Sequence, residues 1–341
     1  MKNEQERSVL SMGAIYLDTN AMNPTFGGLV RPNSEVVHGG YELEPGGSAL
    51  IFARAAVAQG MRVHFIGKTG TDEMGNILLG KLQNEGIVPQ IIQDSNVQTN
   101  INTNIVGING DTFYQSFGNA NQALSAKEIW NKFEEVEDEI DFLYLGGLYK
   151  LSALLPAFPA LVSKAKKRQI KVIIDHGRVP QETDEERKQK RREDKNRIQQ
   201  LVRMSDIYLP SIDELLNTWD IDSYDKVFSR LGRVAAFPFL PSGFTIAIKQ
   251  GKEGAMGAVR AVGEARFEPH VNLVSIPSYP VPVLSTIGAG DTFNAAFIKS
   301  LSVGSNIEES VRYANAAAAF RISTNKFPTQ KEVEGFLAKY S

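Results

Sequence analysis

The sequence contains no cysteine among its 341 residues, and only four histidines. The absence of cysteine excludes disulfides, thiolate zinc sites and a cysteine nucleophile. The histidines, at positions 38, 64, 176 and 270, do not have the HExxH spacing of zinc proteases, so we do not expect a histidine metal site. Each is predicted to be a surface histidine or a hydrogen-bonded polar one.

Long apolar runs are also missing. No stretch approaches the roughly 20 apolar residues that a membrane span requires, and the charged start of the chain does not resemble a signal peptide. Basic and acidic residues number 37 and 39, for a formal charge of −2. This balance gives no electrostatic reason to expect nucleic acid or an anionic membrane as a partner. We therefore expect a cytoplasmic protein that binds neither.

Short apolar runs alternate with helical segments along most of the chain. The pattern predicts a doubly wound, mostly parallel α/β sheet flanked by helices, in a single domain over residues 1–341, with ligands at the carboxyl ends of the strands. The predicted strands are 12–18, 62–70, 141–147, 171–177, 206–211 and 244–251. The predicted helices include 48–60, 74–86, 158–169 and 211–219.

Two segments, 34–47 and 99–118, alternate apolar and polar residues around glycine-rich turns. This alternation favours antiparallel strands outside the main sheet. We predict a small β-lid built from approximately residues 19–45 and 97–118; a pair of surface hairpins is the alternative. The open strand edges of such a lid predict a homodimer formed through it.

Residues 181–197 form the most charged segment, with seven Lys or Arg and six Asp or Glu. Because these charges nearly cancel, the segment predicts a solvated helix rather than a surface for nucleic acid.

Two glycine-rich motifs are candidates for a phosphate site. The segment "IGKTG" (66–70) is not a P-loop, because Arg62 stands where the motif needs glycine. Near the C-terminus, Gly288, Ala289 and Gly290 precede Asp291 and a helical pattern. Small residues at a helix start let backbone amides converge on an anion, and Asp291 could then act as a base toward a hydroxyl. The alternative is a capped helix after a tight turn.

The segment "STIGAGDTFNAAF" (285–297) closely resembles the C-terminal signature of the ribokinase-like, or PfkB, carbohydrate kinases. Residues 45–88 are similar to the family's N-terminal signature, and the resemblance covers nearly the whole chain. Between the signatures, "DHGR" (175–178), "SIDE" (211–214) and "KQGKEGA" (249–255) resemble further family elements.

The resemblance implies a ribokinase-like fold and ATP-dependent phosphorylation of a sugar or sugar-like alcohol, with ATP and Mg²⁺ as cofactors. It assigns catalysis to Asp291, with Gly288, Ala289 and Gly290 as the anion hole. It assigns substrate binding to Asp18, Gly46, Gly47, Phe117 and Asp291. It assigns nucleotide binding to Lys249, Gly251, Gly254, Gly288, Gly290 and Asn315. Glu214 is expected to help organise Mg²⁺ indirectly.

The sequence departs from the family pattern at four positions. Asparagine is usual at the positions of Ile51, Gly177 and Ser211, and aspartate at that of Ser285. With Ser285 and Ile287 in this loop, we expect potassium to matter little. Two alternatives stay open: a nucleoside or vitamin-like alcohol kinase of the same fold, and a non-catalytic sugar-binding sensor on this scaffold. The sequence does not name the substrate.

Overall fold

The structure is a computed structural model, and it describes residues 7–21, 40–106, 112–180, 185–223, 243–260 and 271–340. The strands are β1 (Ser8–Met12), β2 (Tyr16–Ala21), β3 (Tyr41–Gly46), β4 (Arg62–Gly70), β5 (Val88–Asp94), β6 (Ile101–Val106), β7 (Thr112–Phe117), β8 (Phe142–Gly146), β9 (Lys171–Asp175), β10 (Ile207–Tyr208), β11 (Thr245–Lys249), β12 (Ala255–Arg260) and β13 (Val271–Ile276). The α-helices are α1 (Ser48–Ala58), α2 (Glu73–Leu82), α3 (Ala120–Ala123), α4 (Ala126–Val136), α5 (Phe158–Lys167), α6 (Glu185–Met204), α7 (Ile212–Trp219), α8 (Ala289–Ser302), α9 (Ile307–Thr324) and α10 (Gln330–Leu337).

The central sheet has the order β13-β12-β11-β10-β9-β8-β1-β4-β5. Neighbouring strands from β11 to β5 pair in parallel, whereas β12 and β13 are antiparallel. Helices cover both faces: α4, α5 and α6 bury apolar side chains in one cluster, and α1, α8 and α9 do so in another. The predicted doubly wound sheet is confirmed. Strands β5, β12 and β13 were not predicted, nor was β1 before Met12.

The predicted strand 12–18 is wrong. The chain leaves the central sheet after Met12 and enters a second sheet at Tyr16, so Asp18 lies in β2 and not at the end of β1. The break occurs at Gly13, where a Cβ atom would collide with the Cβ of Ala49 and lie 2.7 Å from the carbonyl oxygen of Gly146. Apolar character alone could not reveal this close packing.

The second sheet has the order β3-β2-β6-β7. Strand β2 pairs antiparallel with β3 and parallel with β6, so both predicted lid segments join a single sheet rather than two separate hairpins. Residues 22–39 and 107–111 of the predicted lid lie outside the described residues.

The charged segment is helical from Glu185, as predicted, within the longer helix α6. Its outer face is exposed, but Asp194 is buried beside Arg197, and Ile198 packs into the core. The helix is therefore solvated on one side only. Within the described part of the chain, no helix combines the length and apolar character needed to cross a bilayer.

Two of the four histidines are described, and both are buried. The ring of His176 lies 2.7 Å from the Tyr208 hydroxyl and 2.7 Å from the Gly177 carbonyl, as expected for a hydrogen-bonded histidine. His64 contradicts its prediction, because it is buried and neither of its ring nitrogens has a hydrogen-bond partner among the described residues. Burial lowers the pKa of both imidazoles. His38 and His270 lie outside the described residues.

Candidate active site

Helix α8 begins directly after the small-residue turn. Gly288 is its N-cap and has a left-handed φ of 76°, a conformation that glycine adopts without strain. The backbone N–H groups of the first turn of a helix have no partner within the helix and favour negative charge. A Cβ atom on Gly288 would lie 3.0 Å from Ile51 Cγ2, so α1 packs closely against this turn. The geometry suits an anion held on backbone amides.

Asp291 stands in the first turn of α8, beside these amides. Burial, and then the nearby Asp175 carboxylate, raise the pKa of Asp291 well above its usual range, while Lys249 acts in the opposite direction. A carboxylate with a raised pKa is a stronger base than an exposed one. The side chain keeps partial solvent access, so a substrate hydroxyl could reach it.

A buried polar network lies beneath the turn. Lys249 Nζ donates to Asp175 Oδ2 at 3.1 Å, to the Leu209 carbonyl at 2.7 Å and to Asn294 Oδ1 at 3.1 Å. The amide of Asn294 and the hydroxyl of Tyr144 also donate to Asp175. Burial disfavours the charged form of both side chains, but the attraction between the two opposite charges outweighs it. The pKa of Asp175 is therefore lowered and that of Lys249 is raised. Both side chains are therefore charged.

This network brings a positive charge close to the turn. A Cβ atom on Gly290 would lie 3.8 Å from Lys249 Nζ. Sequence reasoning assigned Lys249 to the nucleotide. Its ammonium group instead points into the interior, where it can stabilise a phosphoryl group only through space.

Asp18 occupies the other side of the α1 N-terminus. Its Oδ1 accepts from the Asn102 side chain at 2.9 Å, and Asn102 in turn accepts from Ser116 at 2.6 Å. Gly46 leaves the space for this carboxylate, because a Cβ atom there would collide with it, and Gly47 has a φ of 104°. Burial raises the pKa of Asp18 to about 6 against the effect of the Asn102 hydrogen bond.

Glu214 lies at the start of α7. Its Oε2 accepts from the backbone N–H of Ser211 at 2.7 Å, and the Ser211 side chain caps the helix in return. One carboxylate oxygen is thus committed, and the other can accept from a metal-bound water. Mg²⁺ commonly keeps several waters and binds few protein carboxylates besides phosphate oxygens. Glu214 therefore fits an indirect role toward Mg²⁺.

The remaining predicted residues are more dispersed. Gly251 and Gly254 flank a short 3₁₀ turn with φ values of 58° and 97°. The Asn315 side chain donates to the carbonyl groups of Ile276 and Pro277, so its described contacts stabilise the chain after β13. Phe117 ends β7 with a largely exposed ring. None of these three features contacts Asp291 through a described hydrogen bond.

The departures from the family pattern have local explanations. Ser211 acts as a helix cap. Gly177 has a φ of 70°, and a Cβ atom there would lie 3.2 Å from Gly147 Cα. Ser285 accepts from the backbone N–H of Ile287 at 3.2 Å, which shapes the turn. Ile51 fills space against Gly288 and offers no hydrogen bond.

Sequence reasoning missed three contributors to this site: Tyr144, Asn294 and Arg321. Asn294 had a detectable signal, because it follows Asp291 by three residues and so shares its helix face. Tyr144 follows the ordinary pattern of a buried strand. Arg321 lies far along the chain in α9, and its side chain donates to the Ile287 carbonyl at 3.2 Å.

The chain is similar in sequence to known proteins over most of its length. The family described as pfkB family carbohydrate kinase matches residues 6–327. A ribokinase of Bacillus subtilis is 25% identical over 341 residues, covering 97% of this chain and 100% of the relative. A 5-dehydro-2-deoxygluconokinase of Bacillus velezensis is 25% identical, covering 94% and 90% of the two chains.

Solved structures share the fold. An Escherichia coli protein described as a ribokinase II, in complex with ATP and Mg²⁺, matches with a TM-score of 0.75 and 20% identity over 98% of this chain and 99% of its own. A ribokinase of Arabidopsis thaliana complexed with ribose and ATP matches with a TM-score of 0.72 and 18% identity, covering 98% and 99%.

Proposed function

This chain belongs to the pfkB family of carbohydrate kinases, which makes it an ATP-dependent sugar kinase, and from that premise we propose that Asp291 is the general base of the transfer. The observation that carries this assignment is the position of Asp291 in the first turn of α8, directly after the Gly288 cap. A base and a set of convergent amides at one helix start are what transfer of a phosphoryl group to an alcohol requires.

In the proposed reaction, the Asp291 carboxylate accepts the proton of a sugar hydroxyl. The hydroxyl oxygen forms a bond to the γ-phosphorus of ATP as the bond to the bridging β–γ oxygen breaks, and ADP leaves. The amides of residues 288–290 stabilise the charge on the transferring group. Such transfer depends mainly on positioning and electrostatics. Lys249 adds positive charge near Gly290.

Mg²⁺, when bound with ATP, would offset charge on the β and γ phosphates. Glu214 would hold it indirectly, through a metal-bound water that donates a hydrogen bond to the second carboxylate oxygen of Glu214. Gly251 and Gly254 are proposed to line the nucleotide side, Lys249 to act on the phosphates through space from the interior, and Asn315 to hold the chain that borders this side.

The sugar is proposed to bind between Asp18 and Asp291. The Asp18 carboxylate accepts hydrogen bonds from sugar hydroxyls, Gly46 and Gly47 let the sugar approach the backbone, and Phe117 borders the site from the second sheet. That sheet acts as a lid that excludes water from the γ-phosphate. Similarity to a ribokinase and to a 5-dehydro-2-deoxygluconokinase favours a sugar over a nucleoside or a vitamin-like alcohol.

An ADP-release assay over a panel of sugars, sugar acids and nucleosides tests this function. We expect sugar-dependent ADP release together with a phosphorylated sugar detected by mass spectrometry. Activity on nucleosides or vitamin-like alcohols alone would favour the alternative kinase. Sugar binding without ADP release would instead favour a non-catalytic sensor.

The raised pKa of Asp18 gives the sugar affinity a predicted pH dependence. The carboxylate form accepts sugar hydroxyls, so the dissociation constant should rise about tenfold per pH unit below about 6. Calorimetry in the Asp291→Asn background isolates this effect, because that variant lacks the second titrating carboxylate. Adding Asp18→Asn should weaken binding and remove the pH dependence. An unchanged profile in the double variant would contradict the role of Asp18.

The lid also supports the proposal of a homodimer. In the described residues its outer strands β3 and β7 each pair on one side only, and Tyr41 and Phe117 on these strands are exposed. Such edges are usually covered. Light scattering at micromolar concentration should give the mass of a dimer, and Phe117→Lys should shift it toward the monomer. A monomer for the unmodified chain would refute the proposal.

A further inference from the structure

The guanidinium group of Arg321 lies next to the small-residue turn. Its Nε donates to the carbonyl of Ile287 at 3.2 Å, and its Nη1 donates to the carbonyl of Asn325. A Cβ atom placed on Gly288 would lie 3.5 Å from the same Nε. One side chain therefore connects the end of α9 to the residue that precedes the N-cap of α8.

Among the described residues, no carboxylate forms an ion pair with Arg321. Other arginines nearby differ in this respect. Arg54 pairs with Glu44 at 2.7 Å and Glu85 at 2.6 Å, and Arg312 in the same helix as Arg321 pairs with Glu308 at 2.9 Å. A half-buried, unneutralised cation beside a set of free amides favours an anionic ligand there.

The orientation of this cation is fixed from the other side as well. The guanidinium of Arg321 lies 4.4 Å from the centroid of the Phe327 ring, and that of Arg54 lies 4.9 Å from the same centroid. A planar guanidinium held by two carbonyls and an aromatic face cannot rotate freely. The charge is thus held in one place beside the turn before any ligand binds.

We propose that Arg321 is a positioning residue for phosphoryl transfer: it holds the Ile287 carbonyl so that the amides of Gly288–Gly290 stay aimed at the γ-phosphate, and it supplies fixed positive charge beside them. The inference rests on the proposed function of the same turn. Backbone carbonyl oxygens such as those of Ile287 and Asn325 can also bind a monovalent cation. In this chain both accept from the guanidinium of Arg321, so no separate monovalent cation is needed there.

The test compares Arg321→Met with Arg312→Met, a matched arginine of the same helix. In Arg321→Met we expect kcat/KM for ATP to fall at least about tenfold. This is less than the roughly 10²–10³-fold cost of losing a donor that contacts the oxyanion itself, because Arg321 acts through the turn. Arg312→Met should keep the unmodified rate. Guanidinium chloride at about 10 mM, far below the molar concentrations that unfold proteins, should restore part of the loss in Arg321→Met only.

A rate for Arg321→Met equal to that of the unmodified enzyme would overturn the inference, and so would a loss in the folded variant that guanidinium does not reverse. If Arg321→Met does not fold, the inference is tested on the unmodified enzyme by its dependence on potassium. Its rate should be the same in potassium as in tetramethylammonium, and steep activation by potassium would overturn the inference.

Failure of the proposed function would look different, because no sugar on the panel would then release ADP. The dissociation constant of ATP is the readout in that case. Weaker ATP binding by Arg321→Met, with unchanged binding by Arg312→Met, would still support Arg321 as the cation beside the turn. Equal ATP binding by both variants would overturn it.

Discussion

Replacing Lys249 by Met should lower the free energy of unfolding by about 3–5 kcal/mol, the usual cost of breaking a buried ion pair on one side. The variant leaves the Asp175 carboxylate, which is 5% exposed, without its cation. Tyr144 and Asn294 would still donate to it, but neutral donors do not offset a buried charge. Urea unfolding measures the change, and the same variant should also lose turnover because the charge near Gly290 disappears.

Two further variants separate the ion pair from a general loss of packing. Lys252→Met, in the exposed turn after β11, should leave stability unchanged within about 0.5 kcal/mol. The double variant Asp175→Asn/Lys249→Met should be more stable than Lys249→Met, because it buries no unpaired carboxylate. If Lys249→Met unfolds at the same urea concentration as the unmodified chain, the ion pair does not contribute to the free energy of unfolding, and the prediction is wrong.

Much of the fold follows from local patterns. The strands β4, β8, β9 and β11 were predictable because a buried parallel strand reads as a short apolar run that ends in a polar or glycine turn. The turn at Gly288 was also predictable from local sequence, because small residues directly before an apolar helical pattern indicate a tight turn that leads into a helix. Local sequence carries both signals.

Other features depend on contacts that are distant in sequence. The break at Gly13 is set by Ala49 and Gly146, which no local pattern brings to it. The partner of Lys249 is Asp175, 74 residues earlier, so its inward direction could not be read from the glycine turn that follows it. Arg321 reaches Ile287 across 34 residues. Polar pairings of this kind require the three-dimensional structure.

Asp291→Asn is expected to reduce turnover by about 10²–10⁴-fold, the contribution of a positioned general base. The amide has the volume of the carboxylate and leaves the Gly288 cap and the start of α8 in place, so ATP affinity should change little. Stability should not fall, because burial and the Asp175 carboxylate oppose the charge that the substitution removes. Asp213→Asn, an exposed carboxylate in the first turn of α7, is the matched control and should turn over sugar normally.

Gly290→Val should behave differently from Asp291→Asn. A Cβ atom at this position would lie 3.6 Å from Lys249 Cδ, so we expect the larger side chain to displace Lys249 and to crowd the space proposed for the γ-phosphate. The variant should therefore weaken ATP binding as well as turnover. If Asp291 were only part of a helix start, Asp291→Asn would instead cost about 1 kcal/mol of stability with no selective loss of chemistry.

Single-turnover transfer tests the assignment of Asp291 most directly. Enzyme in excess over radiolabelled ATP is mixed with the sugar identified by the panel, and labelled sugar phosphate is counted over time for the unmodified chain and for Asp291→Asn. This measurement excludes product release, so it reports the transfer step alone. The predicted result is an ATP dissociation constant within about threefold of the unmodified value, with a transfer rate at least about 10²-fold lower. A folded Asp291→Asn protein that transfers phosphate to the sugar at nearly the unmodified rate would contradict the mechanism.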